Sequence, residues 1–410
     1  MKKINNLIPY NKQSIDEDDI QSVINVLRSD YITTGPEAEK FEKSIAKYCD
    51  VSYVLVCSNA TSALQIVLEA LNIGPKDCVV SSTISFVAGA NATRQVGAEV
   101  CFCDVDPQTG NIDFEHLEKV LVENKNIKVV IPVHLAGAPV DMERLQILSK
   151  IYNFKVLEDA CHALGGGYWD KNNIYNKIGN CKHSDVVVFS FHPIKNITTG
   201  EGGAITTNNK KLYKKMLALR NHGITRDEKK FINKEMAYTE YKGKVQLNKW
   251  YYEMHCLAHN FRLTDFQCAL GNSQLKKLNL FVKKRQNLAN LYISLINKEI
   301  KKNVKIPNFS NNIVHAFHLF VVFIDFDRIN GGRANLMNFL LENKIQTQVH
   351  YIPIHLQPFY KKLYPSKFNL PNSELFYNKS ISLPLFYDMT EDQVGFVIHK
   401  LKEGLEVLKV

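Results

Sequence analysis

Short apolar runs alternate with stretches of helical periodicity through roughly residue 210. The runs Tyr53–Cys57, Cys78–Ser82, Val100–Asp104, Val129–Val133, Lys155–Leu157, Val186–Phe189 and Gly203–Thr206 are rich in β-branched or aromatic residues and bounded by Gly, Pro, Asp or Asn, as strands are. Helical stretches intervene. In Ser62–Leu71 the apolar positions Ala63, Leu64, Val67, Leu68 and Leu71 share one face, and Gly74 ends the segment. Such alternation predicts an α/β fold: a mostly parallel central sheet, helices on both faces, and ligands at the carboxyl ends of the strands.

From residue 224 to 259 the pattern dissolves into a charged, Lys- and Tyr-rich stretch, which reads as a surface excursion. The chain resumes at Asn260, and a long helix is predicted from Thr264 to about Ile296. Beyond it, Phe317–Ile324 and Gln346–Tyr351 read as strands and Arg333–Asn343 and Thr390–Leu408 as helices. The last opens with Thr390 and Gln393 in capping-box spacing, and Val394, Val397, Ile398, Leu401 and Leu405 line one face. This predicts a large domain over residues 1–275 and a smaller α/β domain over 276–410.

Charge narrows the partners. Lys+Arg at 51 against Asp+Glu at 41 gives a net +10, but only nine of the 51 are Arg. Arg carries most base and bidentate phosphate contacts, and the lysines are scattered as helical pairs such as Lys214–Lys215, so nucleic acid is not expected. The nine cysteines include no C-x-x-C pair and are odd in number, which signals neither a disulfide framework nor a zinc knuckle. His315 and His318 are three apart on an apparent strand, hence on opposite faces, and Pro353 separates His350 from His355; no metal site is expected. With no apolar leader at the start and no run of eighteen apolar residues, neither export nor a membrane span is expected, and the reading is cytoplasmic.

Three stretches carry candidate chemistry. A buried strand ends in Ser190, and Lys195 follows in a turn flanked by Ile194 and Ile197 before the Gly-rich Gly200–Gly203. An amine held near apolar surface has its charged form disfavoured, which Schiff-base chemistry requires; a surface charge is the alternative. Asp159, just past another buried strand, would pair with a cationic ring nitrogen or cap a helix, and His162 would meet a cofactor or pack. Ser58–Asn59–Ala60–Thr61–Ser62, between strand and helix, would hold a phosphate or form an ordinary cap. Phe86, at a strand end, would stack on a flat ring or, by default, fill core. Taken together and in this order, they match what pyridoxal 5′-phosphate needs.

At this point the chain resembles the DegT-type sugar-nucleotide aminotransferases, fold type I pyridoxal-phosphate enzymes. The resemblance runs nearly end to end, through Ile8–Pro9–Tyr10, Thr33–Thr34–Gly35–Pro36, Ser58 to Leu64, Glu158 to Gly165, Ser190 to Lys195, His259 to Leu263, and Gln348 to Tyr351. It implies that Lys195 is the catalytic lysine carrying the cofactor, that Asp159 pairs with the pyridine nitrogen, that His162 sits beside the phenolic oxygen, and that Phe86 stacks on the ring. Ala60, Thr61 and Ser190 would hold the phosphate. Asn260 would reach the neighbouring subunit's site, so a homodimer with shared active sites is implied. Tyr10, Asp30, Tyr31, Ile32, Thr33, His350 and Tyr351, with Ala60, Ser190 and Asn260, would contact the sugar nucleotide.

Within the family, His222 to Asp227, Trp250 to Glu253 and His350 to Tyr360 resemble the branch of pseudaminic acid biosynthesis. That branch moves an amino group from L-glutamate to C4 of a UDP-4-keto sugar of the 6-deoxy-N-acetyl type. Asn196 departs from it, standing where those relatives carry Pro, and Lys–Asn–Ile–Thr also resembles the UDP-4-amino-4-deoxyarabinose aminotransferases. Bacillosamine- and perosamine-type 4-aminotransferases are further alternatives. A sugar dehydratase on this scaffold would carry His at Lys195, and a pyridoxal-binding regulator would need an added partner module.

Overall fold

The computed structural model describes residues 6–365 and 368–410. Its centre is a seven-stranded sheet: β1 (Tyr53–Cys57), β2 (Cys78–Ser82), β3 (Glu99–Cys103), β4 (Ile127–Ile131), β5 (Lys155–Asp159), β6 (Val186–Ser190) and β7 (Gly203–Thr207). The spatial order is β1-β7-β6-β5-β4-β2-β3. Neighbours from β6 to β3 pair in parallel, while β7 runs antiparallel to both β1 and β6. Each predicted run of this region is a strand, with ends displaced by up to two residues.

Period two explains why both faces are covered. Val54 and Val56 enter one core and Leu55 and Cys57 the other; likewise Val187 and Phe189 oppose Val186 and Val188. Helix Ala60–Ala70 buries Ala63, Leu64, Val67 and Leu68 against the second face.

The helix Asp265–Glu299 opens on a Thr264/Gln267 capping box and is about 50 Å long at 1.5 Å per residue. Cys268, Leu275, Leu278, Phe281 and Val282 pack into the main core, whereas Leu288, Ala289, Tyr292 and Ile296 pack into a separate one. Residues 275 and 276, where the domain boundary was expected, both lie within it. The second core also takes in an antiparallel sheet of Val304–Lys305, Phe320–Ile324 and Ser380–Leu383, and the helices Gly332–Glu342 and Glu391–Val407. Arg285 of the long helix is buried and donates to the carbonyls of Leu385 (2.8 Å) and His318 (3.4 Å) and to Asn11 Oδ1 (3.1 Å). Among the described residues no carboxylate meets it, and burial pushes its pKa down to about 10.

Two C-terminal expectations need correction. Gln346–Tyr351 is not a strand, since Gln348 makes only an isolated bridge to Ser382 and the neighbouring residues turn into a cleft. The other strand begins at Phe320 rather than Phe317, whose φ of 47° is incompatible with extended pairing. His315 and His318 therefore precede the strand, so the opposite-faces reading does not apply.

The 224–259 excursion is ordered, with a hairpin of Tyr238–Tyr241 and Lys244–Leu247 and a small core of Phe231, Ala237 and Tyr251. Its knot is the Glu253 carboxylate, which accepts from Ile232 N, Asn233 N (2.8 Å), Tyr251 Oη (2.9 Å) and His255 Nε2 (2.6 Å). A polar knot of this kind has no hydrophobic period to betray it.

Candidate active site

The carboxyl ends of β1, β5 and β6 open into a cleft of about 700 Å³, which residues 348–352 and Gln357 of the C-terminal part of the chain also line. This size suits a small-molecule site. Tyr10, Ala60, Phe86, Asp159, His162, Ser190, Lys195, His350 and Tyr351 all line it, although they come from distant stretches of chain.

Helix Ala60–Ala70 starts at the end of β1. Asn59 caps it, its side chain accepting from Ser62 N at 2.8 Å, while the Ser62 hydroxyl accepts from Asn59 N. Ala60 and Thr61 hold the first two helical positions, whose N–H groups have no partner within a helix, so the turn presents donors and a positive dipole end toward the cleft. Gly203 on β7 faces Cys57 and lies against this turn; a Cβ there would stand 2.6 Å from Asn59 C and 2.8 Å from Ala60 N. Only glycine permits so close an approach.

Lys195 sits on the connection between β6 and β7. Its N–H donates to His192 O at 2.9 Å, closing a turn in which Pro193 supplies the fixed φ. Phe191 and Ile197 anchor the connection in the core, and Phe191 N donates to Gly202 O. Burial lowers the Lys195 ammonium pKa below the ordinary value, with Cys161 and Asp159 opposing that shift.

Asp159 ends β5, buried, with Oδ1 accepting from Cys161 N at 3.1 Å. No helix follows it, so the helix-cap alternative is set aside. His162 is buried and touches both Ala136 N (3.3 Å) and Tyr351 Oη (3.0 Å). His350 Nδ1 lies 2.9 Å from Ser382 Oγ, and burial pushes its pKa down to about 3. Phe86 is 60% exposed at the cleft, which overturns the core reading, and its ring lies tilted 6.3 Å from that of Tyr351.

Not every expected residue comes together. Asp30, Tyr31, Ile32 and Thr33 are exposed and lie outside this cleft, in a loop held by Asp265, whose carboxylate accepts from Gly35 N and Glu37 N at 2.8 Å. Asn260 is exposed as well, bridged to Asn221. Asn196, the departing residue, turns away from this cleft and donates to Leu164 O at 2.8 Å. Conversely, Cys161, His192, Glu201, Gln348, Ile352 and Gln357 line the cleft without having been singled out. Cys161, His192 and Gln348 sit inside motifs already noted, and adjacency to the motif residues was their one available signal.

The close fit of Gly203 against the Asn59–Ala60 turn, the buried amine and the strand-end carboxylate together suit a phosphorylated aromatic aldehyde: an anion cradle, an amine for an imine, and a partner for a ring nitrogen. Among the described residues no cluster of three His, Cys, Asp or Glu side chains is arranged to hold a metal ion, and no helix is long and apolar enough to cross a membrane.

Known proteins point the same way. The pattern of the DegT/DnrJ/EryC1/StrS aminotransferase family matches residues 13–402. The chain is 34% identical over 409 residues to the UDP-4-amino-4,6-dideoxy-N-acetyl-beta-L-altrosamine transaminase of Campylobacter jejuni subsp. jejuni serotype O:2, across 98% of this chain and 99% of that one. Helicobacter pylori PseC, an aminotransferase involved in the biosynthesis of pseudoaminic acid, superposes with a TM-score of 0.85 at 30% identity, covering 98% and 100% of the two chains. A putative sugar aminotransferase of Streptococcus pneumoniae, solved in its PLP form, gives 0.85 at 26% identity over the same shares.

Proposed function

Since the chain belongs to the DegT/DnrJ/EryC1/StrS aminotransferase family, and so is a pyridoxal-phosphate-dependent sugar aminotransferase, we propose that it moves an amino group from L-glutamate to C4 of a UDP-linked 4-keto-6-deoxy-N-acetyl sugar. The product is UDP-4-amino-4,6-dideoxy-N-acetyl-β-L-altrosamine, on the way to pseudaminic acid. The observation that carries the reading is one cleft in which Lys195, Asp159 and the Asn59–Thr61 turn converge. Likeness to the Campylobacter and Helicobacter enzymes supports the choice of sugar. Asn196 does not line the cleft, which weakens its claim to redirect that choice.

Pyridoxal phosphate, when bound, supplies a ring that accepts electron density from the carbon being deprotonated. The Ala60 and Thr61 amides and the Ser190 hydroxyl would hold the phosphate, and Phe86 would stack on the ring. Asp159 keeps a proton on the ring nitrogen. Lys195 Nζ would hold the cofactor at rest and, freed when the amino donor binds, would act as the base and acid that moves the donor's α-proton. Its lowered pKa favours the neutral amine that task needs.

Tyr10, His350 and the ring of Tyr351 would contact the sugar nucleotide from the cleft. Asn260, exposed outside the cleft, would reach the neighbouring subunit's site in a homodimer, and Asp30 to Thr33, exposed as well, would add contacts to the sugar nucleotide. The enzyme works in the cytoplasm.

Two measurements test this. The Lys195→Ala protein should lose the visible absorbance of bound cofactor and all turnover; turnover at the wild-type rate would refute the assignment. Glutamate supplied with epimeric UDP-4-keto N-acetyl sugars should yield amine from the L-arabino ketone only, and preference for the D-xylo epimer would reassign the pathway.

A further inference from the structure

By resemblance His162 belongs beside the cofactor's phenolic oxygen, yet both of its ring nitrogens are engaged within the chain. Ala136 N–H donates to Nδ1 at 3.3 Å, and Nε2 lies 3.0 Å from Tyr351 Oη. An imidazole that accepts a backbone proton at Nδ1 carries its own proton on Nε2 when neutral. Burial keeps it neutral, helped by the neighbouring Lys195, His350 and His134. The His318 ring, 4.4 Å away, is itself held neutral by burial. Nε2–H therefore donates to Tyr351 Oη, and the phenol's hydrogen must point elsewhere.

Among the described residues Tyr351 Oη has no other hydrogen-bond partner, and the side chain lines the cleft with Lys195, Asp159 and Phe86. Burial raises its pKa, with Asp159, Cys161 and Tyr10 adding to the shift, so the hydroxyl stays a donor. A hydroxyl polarised by a donor behind it favours a negatively charged acceptor. Of the cofactor's anionic oxygens, the phosphate belongs at the Asn59–Thr61 turn. Tyr351's neighbours Asp159 and Cys161 mark the ring end.

We infer that the hydroxyl of Tyr351, rather than the imidazole of His162, donates the hydrogen bond to the cofactor's phenolic oxygen, and that His162 is a positioning residue fixing the direction of that hydroxyl. The inference rests on the cofactor reading above.

Removing a donor to the phenolate favours the protonated form of the lysine-bound cofactor. Titrating the visible absorbance of Tyr351→Phe holoenzyme should therefore show its pH midpoint raised by about one unit. His162→Leu should move the midpoint the same way, and His162→Gln, which retains an N–H donor, should restore most of it. In the apoprotein, ¹⁵N shifts of His162 should report the Nε2–H tautomer from pH 6 to 8. An Nδ1–H tautomer or a charged ring would overturn the inference. So would an unmoved midpoint in Tyr351→Phe accompanied by a raised KM for the sugar nucleotide, since the hydroxyl would then serve the sugar. Absence of any visible band in the wild-type holoprotein would instead remove the cofactor reading itself.

Discussion

Adding a single methyl group at Gly203 should weaken cofactor binding from outside the list of contact residues. Alanine there puts a Cβ at 2.6 Å from Asn59 C and 2.8 Å from both Ala60 N and Asn59 O, where ordinary contact begins at 3.4 Å. All three atoms are backbone, so no side chain can swing aside, and the turn must retreat by about 0.8 Å from a strand fixed by its pairing on both sides. Overpacking of this kind costs about 1–3 kcal/mol of stability. The retreat would also displace the Ala60 and Thr61 amides from the proposed phosphate position. Hydrogen bonds to a charged group contribute about 1.5–3 kcal/mol each, and losing half of two such bonds leaves about 2 kcal/mol, or roughly thirtyfold in affinity. Absorbance titration of apoprotein with pyridoxal phosphate reads this directly. Gly74→Ala, where nothing lies within 4 Å, is the control. A Gly203→Ala protein that binds within about threefold of wild type and melts at the same temperature would refute the anchoring role of the turn.

Other perturbations separate structure from chemistry. Arg285→Leu strips donors from the carbonyls of Leu385 and His318 and from Asn11, and should lower unfolding free energy by about 3 kcal/mol in a denaturant titration; a change under about 1 kcal/mol would deny the clasp its role. Glu253 has its pKa lowered to about 2 despite the cost of desolvation, because His255, the Ile232 and Asn233 amides and Tyr251 all donate to it. A depressed carboxylate stabilises above its ordinary value of 4.5 and loses that contribution as pH falls through about 2. Amide protection at Ile232 and Asn233 should thus persist at pH 4, whereas Glu253→Gln should expose residues 224–259 to protease at neutral pH without altering cofactor absorbance. Asp265→Ala frees the Gly35 and Glu37 amides and should loosen the 30–35 loop, raising KM for the sugar nucleotide more than for glutamate; equal changes would place the loop outside the sugar site.

The strands of the central sheet were legible because burial on both faces leaves continuous β-branched runs such as Val186–Phe189, a pattern that depends on few distant contacts. Direction was not legible. The composition of Gly203–Thr207 carries no mark of an antiparallel strand; its sense follows from the path of residues 191–202, which double back through the Phe191–Gly202 backbone bond. The lining of the cleft was legible where the proposed chemistry demands an unusual residue in a fixed place, as with Lys195 and Asp159. At Gln348 and Gln357 only the surrounding motifs gave a signal, since their amides look alike in a cleft and on a surface. Gln346–Tyr351 misled because a segment that turns its side chains into a cleft imitates the alternation of a strand.

The reversal of β7 also explains how the two ends of the site are coupled. A right-handed parallel crossover would have carried the chain after β6 away across a face of the sheet. Instead, residues 191–202 fold over the carboxyl edge and return at once, leaving Lys195 on a connection whose descending arm begins at Gly203. That glycine pairs with Cys57, the last residue of β1, and presses on the helix turn that β1 leads into. One short connection therefore carries the amine and packs against the proposed anion cradle, and β5, paired with β6, brings Asp159 to the same cleft. A shift of the connection should disturb amine and phosphate binding together, while substitution of Asp159 should alter ring protonation and leave phosphate affinity nearly unchanged. Titrating Asp159→Asn apoprotein with inorganic phosphate and with pyridoxal phosphate tests that division, and a parallel loss of affinity for both ligands would contradict it.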